Sequence, residues 1–391
     1  MIKKLCAIGI VGTGFIAQGL ARAIRRSNNF KVGSVLTRRK KVNIPDFHDD
    51  EMVSSIDALI EKSEIIVECS GDPLHATDVI ERAIAVKRKI VTMNSAWHVI
   101  AGSYYRNFGY ITEAEGDQPG SLAALAEDGK AMGFDPLVYV NVKGFLNLSP
   151  TYKTMAHFSK MYGISLPQVT SFTDGTKLQL EQALVANGFG ADIYKQGMLG
   201  PAVSKINKGL DMLSKAAEDH GKPIVDYVLT QEAPGAVMII AHHDSQESVA
   251  LGYLKMGDGP FYRLVRAYHL CHLEILKTLR RTVTGGNILL DNGSLPTISV
   301  ATITKHRLMP GNRIKQGIGS FDARGECVRI LENHGHLPIA LMRDIIIKRK
   351  IAKGEMIMRD DVELPESRAL QAWLATEENV MQTGRNIGVA N

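Results

Sequence analysis

The sequence predicts an α/β chain: a doubly wound parallel sheet at the N-terminal end, an α+β middle part and a small β-rich C-terminal part. Three observations carry this. Short apolar runs alternate with amphipathic helical stretches through the first ~145 residues, as repeated strand–helix–strand units require. The first run, Ala7-Ile8-Gly9-Ile10-Val11, leads straight into Gly12-Thr13-Gly14-Phe15-Ile16-Ala17 and a helix. Beyond about Asn147 longer helical stretches take over, and the last third carries two similar short β units that start at 299–303 and 338–342. The expected divisions are 1–146, 147–296 and 297–391.

The stretch 6–39 is the most informative. The 7–11 run suits a strand buried on both faces. Gly12 permits the tight turn, Gly14 lets the backbone approach a pyrophosphate, and Ala17 allows close helix–strand packing. The helix from about 15 to 26 then offers free amides and its positive dipole end to phosphates. The unit reads as the start of a Rossmann-type dinucleotide site, with Gly12, Thr13, Gly14, Phe15 and Ile16 against the cofactor. A second strand over 30–36 ends in Thr37-Arg38-Arg39-Lys40-Lys41. An Asp or Glu at this point would hold the 2′-hydroxyl of NAD(H); Thr37, Arg38 and Arg39 suit a 2′-phosphate instead. NADP(H) is the expected cofactor, with NAD(H) as the alternative.

The series continues with a strand over 64–69, the turn Ser70-Gly71-Asp72-Pro73, a helix to about 86, and a strand over 89–93 that ends at Asn94-Ser95. Strands over 108–112 and 137–140 follow, with a helix over about 120–132 between them. Ligands gather at the C-terminal ends of such strands. The segments 37–39, 69–73, 94–98, 113–118 and 141–144 are therefore expected around one crevice, with Cys69, Ser70, Gly71 and Asn94 on the cofactor. The middle part reads as helices over 177–187, 201–220 and 268–282 and strands over 224–230 and 236–241. The stretch after about 368 reads as helix, frayed from 384.

Composition excludes several classes. The chain has 391 residues and a net charge of +5, and its basic clusters (38–41, 348–350) are short and without aromatics, so nucleic-acid binding is not expected. The four cysteines (6, 69, 271, 327) show no CxxC spacing, which argues against a zinc site or a disulfide framework. No apolar run of about 18 residues exists, and the basic start followed by apolar residues reads as the first strand, not a leader. A soluble cytoplasmic protein is expected.

Motifs further along carry a resemblance. They are Glu68-Cys69-Ser70-Gly71-Asp72-Pro73, Glu115-Gly116-Asp117-Gln118-Pro119-Gly120, Lys143-Gly144, and Ser171-Phe172-Thr173-Asp174-Gly175-Thr176-Lys177 with Glu181 and Ala186-Asn187. Arg266-Ala267-Tyr268-His269-Leu270 follows with Leu273-Glu274, and then Lys353-Gly354-Glu355-Met356-Ile357 with Asp360-Asp361-Val362. Over about 5–365 the chain resembles homoserine-dehydrogenase-like proteins with a C-terminal SAF domain, the deoxyxylulose-phosphate-reductoisomerase-like (DRL) subgroup among them. The resemblance implies a Rossmann domain, a catalytic and dimerisation domain, a SAF-like domain and a homo-oligomer. It leaves the substrate open, between dehydrogenation and reductive isomerisation. Where reductoisomerase-like members carry two acidic residues, this chain has Ala96 and His98. A metal- or sugar-phosphate-holding role there is lost or rebuilt on His98, and a divalent metal stays open.

Hydride transfer at an alcohol carbon needs a group to take the hydroxyl proton and, in reverse, an acid or cation at the developing alkoxide. A lysine whose pKa burial lowers can do both. Lys177 is the first candidate, on one helix face with Glu181 at i+4 and behind Asp174, which would orient it or the substrate. Lys143, after a core strand, is the second. Asp117 is a further polar group or a turn former, Arg266 suits an anionic substrate group, and His269 a substrate oxygen. His242-His243-Asp244 and His269/His272 do not make a metal site, because adjacent strand histidines face opposite ways and the second pair lacks a third ligand. The expected function is an NADP(H)-dependent oxidoreductase on a small polar, anionic hydroxy or keto substrate. The alternatives are homoserine dehydrogenase and, in another class, a non-catalytic nucleotide-binding sensor or carbohydrate-binding module.

Overall fold

The computed structural model describes residues 5–39, 44 and 46–388. Six strands form one parallel sheet: β1 (Cys6–Val11), β2 (Phe30–Leu36), β3 (Met52–Val53), β4 (Ile65–Glu68), β5 (Lys89–Thr92) and β6 (Ile111–Glu113), in the order β3-β2-β1-β4-β5-β6. The order reverses between β1 and β4, and a crevice opens there beyond the strand ends. Register brings those ends level: Val11 pairs with Leu36 on one side and Glu68 on the other. Gly12, Thr37 and Cys69 therefore leave the sheet side by side. One face is covered by helix Phe15–Arg25, whose Leu20 and Ile24 meet Ile8 and Ile10; the other by helix Pro73–Ala85, whose Val79, Ile80 and Ile84 meet Ile66 and Ile90.

The strand expected over 137–140 is real but leaves the first sheet. It lies within β7 (Asp135–Lys143), which pairs with β8 (Ile224–Leu229), β9 (Val237–His242) and, through β9, β10 (Tyr262–Arg266), in the order β10-β9-β7-β8. The reason is packing. Val138, Val140 and Val142 bury against Leu210 and Leu213 of helix Ile206–His220, while Tyr139 faces helix Thr176–Phe189. Conversely, 271–290 returns to the first sheet: Ile275 and Leu279 of helix Ile275–Val283 join Leu20 and Ile24, and Glu113 N donates to Leu290 O at 2.8 Å. Helix Ile206–His220 starts later than periodicity suggests, since 201–203 pairs with the end of β8 (Leu229 N to Pro201 O, Val203 N to Leu229 O, both 2.9 Å).

In the C-terminal part β11 (Ile298–Thr304) pairs antiparallel with β13 (Ala323–Arg329), and β12 (Arg313–Gln316), β14 (Arg343–Ile347) and β15 (Val362–Glu363) form a second small sheet. The two similar units interlock: Leu308 and Ile351 exchange backbone hydrogen bonds at 2.9 and 3.0 Å. The second unit starts as a 3₁₀ turn (Ile339–Leu341) instead of a strand. Helix Arg368–Gly388 then crosses back and buries Leu370, Trp373 and Val380 against helix Pro73–Ala85 and the 98–105 segment. It runs through the residues expected to fray, as far as 388.

Buried His336 lies between these layers. Its Nδ1 faces Asn333 O and its Nε2 Ser299 Oγ, each at 2.8 Å, with the ring edge-on to Trp373. Burial lowers its pKa to about 4. The unfolded chain, with an ordinary imidazole, binds more protons between about pH 6.5 and 4, so this contribution is complete above 6.5 and lost as pH falls towards 4. The loss amounts to about 3 kcal/mol. In urea unfolding, the stability advantage of wild type over His336→Gln is expected to shrink by that amount between pH 7 and 4. A constant difference would refute the assignment.

Candidate active site

The glycine turn builds one wall of a cleft. Gly12 has φ +104°, and a Cβ there would stand 2.9 Å from Ser70 Cα, so β1 and the turn after β4 touch through backbone. Gly14 is the N-cap of helix Phe15–Arg25 and supplies no side-chain cap; a Cβ at Gly14 would meet nothing within 4 Å. The first-turn amides thus face an open space at the positive end of the helix dipole, which fits a pyrophosphate. This space belongs to a cleft of about 660 Å³. Gly12, Thr13, Gly14, Phe15, Ile16, Thr37, Arg38, Arg39, Cys69, Ser70 and Gly71 all line it. Lys40 and Lys41 lie outside the described residues. Asn94 is not in the lining; its Oδ1 caps Ser95–Trp97 by accepting from Trp97 N at 3.1 Å. Burial raises the Cys69 thiol well above its ordinary value, with the Glu68 charge adding to this. Sequence reasoning did not anticipate the far wall, where Ser165 and Gln168 of the middle part and Gln316, Ile318 and Arg343 of the C-terminal part face the glycine turn.

A second group gathers where β6, β7 and helix Thr176–Phe189 meet. Lys177 Nζ lies 2.6 Å from Asp117 Oδ2 and 2.9 Å from Glu181 Oε1. Lys143 Nζ donates to Gln118 Oε1 at 2.7 Å and stands 4.0 Å from Glu181 Oε2, which also accepts from Asn141 Nδ2 at 3.3 Å. Asp117 and Glu181 are buried. These residues lie outside the lining of the cleft. At the cleft itself His272 packs edge-on to Phe15 at 5.5 Å, and buried Glu68 at the end of β4 accepts from Ser70 N at 2.8 Å.

The two lysines differ electrostatically. Burial alone would lower the pKa of Lys177, but the charges of Asp117 and Glu181, hydrogen-bonded to it, outweigh burial and hold it above its ordinary value. The expectation of a lysine tuned down towards neutrality therefore does not hold at Lys177. At Lys143 burial dominates, and with the nearby Lys177 charge it lowers the ammonium pKa despite Glu181 and Asp117. Asp117 is held below its ordinary value because Lys177 outweighs burial.

The remaining candidates divide. His269 Nδ1 donates to Gly235 O at 2.7 Å, and the ring stands close enough to Asp117 for a positive charge on it to favour the Asp117 carboxylate. Arg266 is taken up by Glu115 (3.2 Å) and by Glu274, with Lys277 on the same two carboxylates. Asp174 does not reach Lys177. Its Oδ2 is paired with Lys305 Nζ at 2.6 Å and its Oδ1 accepts from Thr176 N at 2.9 Å, so it ties the C-terminal part to the head of the Lys177 helix. His98 is buried in a π-helical turn (His98–Gly102), 3.4 Å from Glu113 Oε2. Burial lowers its pKa to about 4 and raises that of Glu113 well above normal, the latter helped by Asp117 and Glu181. Glu113, Gln118 and Lys305 were missed. A carboxylate ending a parallel strand could have marked Glu113, whereas nothing in the sequence marks Lys305. Among the described residues no group of three or more His, Cys, Asp or Glu is placed to hold a metal ion, and no helix is long and apolar enough to cross a membrane.

Comparison with known proteins adds the following. Residues 116–275 match the family described as "Oxidoreductase DRL, catalytic domain", and 12–108 match "Homoserine dehydrogenase, NAD binding domain". No curated protein matches. Among solved structures, similarity extends to a homoserine dehydrogenase from Thiobacillus denitrificans (13% identity, 79% of this chain and 84% of that one, TM-score 0.47). It also extends to the UDP-N-acetylglucosamine 3-dehydrogenase GnnA from Acidithiobacillus ferrooxidans (11%, 74% and 92%, 0.40). GenD2 from gentamicin A biosynthesis, in complex with NAD, is matched over 38% of this chain and 46% of its own length (13%, TM-score 0.29).

Proposed function

We propose, from the premise that this chain belongs to the homoserine-dehydrogenase-like oxidoreductases and carries a DRL catalytic domain, that it moves a hydride between NADP(H) and the carbinol carbon of a small polar hydroxy or keto substrate. The bound nicotinamide supplies or accepts the hydride. Everything else falls to side chains. The amides after Gly12 and Gly14 and the helix N-terminus hold the pyrophosphate, and Arg38 and Arg39 hold a 2′-phosphate.

The observation that carries this reading is the buried ion-paired group Lys177–Asp117–Glu181 with Lys143 beside it. Lys177, kept charged by its two carboxylates, stabilises negative charge on the substrate oxygen. Lys143 is the titrating group: neutral, it takes the hydroxyl proton during oxidation; charged, it returns that proton to the alkoxide during reduction. His269 Nε2 accepts from a substrate hydroxyl. The two lysines stand against two carboxylates, and Arg266 already has two carboxylate partners, so no excess cation is left for an anionic group and the substrate is recognised here through hydroxyl and carbonyl oxygens.

The test is a titration with NADPH and NADH by fluorescence, followed by turnover on hydroxy acids, homoserine and hydroxy-ketones with and without phosphate, with product analysis for a carbon shift. NADPH is expected to bind tighter than NADH, and Arg38→Ala/Arg39→Ala to weaken NADPH roughly ten- to hundredfold through lost charged hydrogen bonds. Equal affinity for both nucleotides would sink the NADP(H) assignment. Binding of neither would sink the enzyme.

A further inference from the structure

Arg38 extends from the end of β2, and its guanidinium donates to Asp72 Oδ2 at 2.8 Å. A second guanidinium reaches the same oxygen from another part of the chain: Arg343 Nη1, on β14, at 3.0 Å. Asp72 is nearly buried, and its Oδ1 caps helix Pro73–Ala85 by accepting from His75 N at 3.2 Å. One carboxylate thus faces two guanidinium groups, and Arg39 lines the same cleft a residue further on. Asp344, next to Arg343, is 3.9 Å from it and well exposed, so it neutralises little. The local charge is a surplus of cations beside the position where a dinucleotide fold puts the adenosine 2′ substituent. Neither Arg38 nor Arg343 is fully covered by protein.

The position of Arg343 is rigidly set. It pairs with Gln316 across β12 and β14, and Gly317 N donates to Met342 O at 2.6 Å. A Cβ on Gly317 would come within 2.8 Å of Ile339 O and of side-chain atoms of Ile339 and Met342, so the two segments pack closely at this glycine. Gln316, Ile318 and Arg343 all line the cofactor cleft.

We infer that Arg343 is a cofactor-specificity residue: with Arg38 and Arg39 it completes a three-arginine site for the 2′-phosphate, and the C-terminal part thereby selects NADP(H). The inference rests on the NADP(H) reading above. Asp72 holds the two guanidinium groups side by side before the phosphate arrives, which lowers the ordering cost of a multidentate contact.

The experiment titrates the full chain with NADPH, NADH and 2′,5′-ADP for wild type, Arg343→Met and Arg343→Lys, with thermal unfolding of each. Arg343→Met is expected to weaken NADPH and 2′,5′-ADP about tenfold or more while NADH changes less than about twofold. Arg343→Lys, which keeps the charge and the tie to Asp72 but not the planar fork, is expected to fall between, and it carries the test if Arg343→Met does not fold. Parallel weakening of NADPH and NADH, or no weakening, overturns the inference and leaves Arg343 as an interdomain tie. Wild type with no preference for NADPH overturns the cofactor reading itself, and this inference with it.

Discussion

On the proposed mechanism, Lys177→Ala is expected to lower kcat by a factor of about 10²–10⁴ without weakening nucleotide binding, because the lost cation would act on the substrate oxygen and not on the cleft. The variant also changes protonation. Asp117 and buried Glu181 would face each other without Lys177 between them. Removing one partner of a buried pair costs about 3–5 kcal/mol if the others stay ionised. The variant avoids part of this by taking up a proton, which raises a carboxylate pKa above its unfolded value. A raised carboxylate contributes stability at low pH and loses it as pH rises through its folded pKa. The variant should therefore lose thermal stability relative to wild type as pH rises above the ordinary carboxylate range. Steady-state kinetics, nucleotide titration and unfolding midpoints as a function of pH check the three parts. Retained turnover would remove Lys177 from the chemistry.

Gly116→Ala and Gly120→Ala are expected to be strongly damaging small substitutions. Gly116 has φ +110°, and a Cβ there would stand 2.1 Å from Cys271 O; at Gly120 it would stand 1.8 Å from Ala114 O. Both contacts are to backbone, so side-chain rearrangement cannot relieve them. Each change should cost about 3 kcal/mol or more and displace Asp117, which lies between the two glycines. Low soluble yield, a lowered unfolding midpoint and lost turnover are the readouts. Gly14→Ala is the contrast, since its Cβ would meet nothing. It should leave the midpoint unchanged and weaken both nucleotides, because the methyl group enters the space that the phosphates need. An unaltered midpoint in Gly116→Ala would mean that the loop is not held as described.

What could be read from the sequence was what local pattern determines. The glycine turn, the strand ends at Thr37 and Cys69, and the i, i+4 pair Lys177–Glu181 follow from period and spacing, and the structure reproduces them. Sheet membership was not legible. The apolar run 137–140 looks the same whether it continues a parallel sheet or starts a mixed one, and only its partners Ile224 and Ile240, far along the chain, decide. Side-chain partners were equally hidden. Asp174 is three residues from Lys177 but pairs with Lys305, and Lys177 instead finds Asp117, sixty residues earlier. The direction of the Lys177 shift depends on that second carboxylate, which spacing alone cannot supply.

Helix Arg368–Gly388 has a consequence for how the protein is made. It covers the outer face of helix Pro73–Ala85 with Leu370 and Trp373, so a sheet built from residues 6–113 is closed by a segment synthesised much later. At ordinary elongation rates the interval is on the order of tens of seconds. Throughout it the nascent chain displays an apolar helical face that must be shielded by a chaperone or by transient burial elsewhere. The glycine turn and its helix are complete long before. Nucleotide taken up at that stage would favour the folded form of the half-made sheet by mass action.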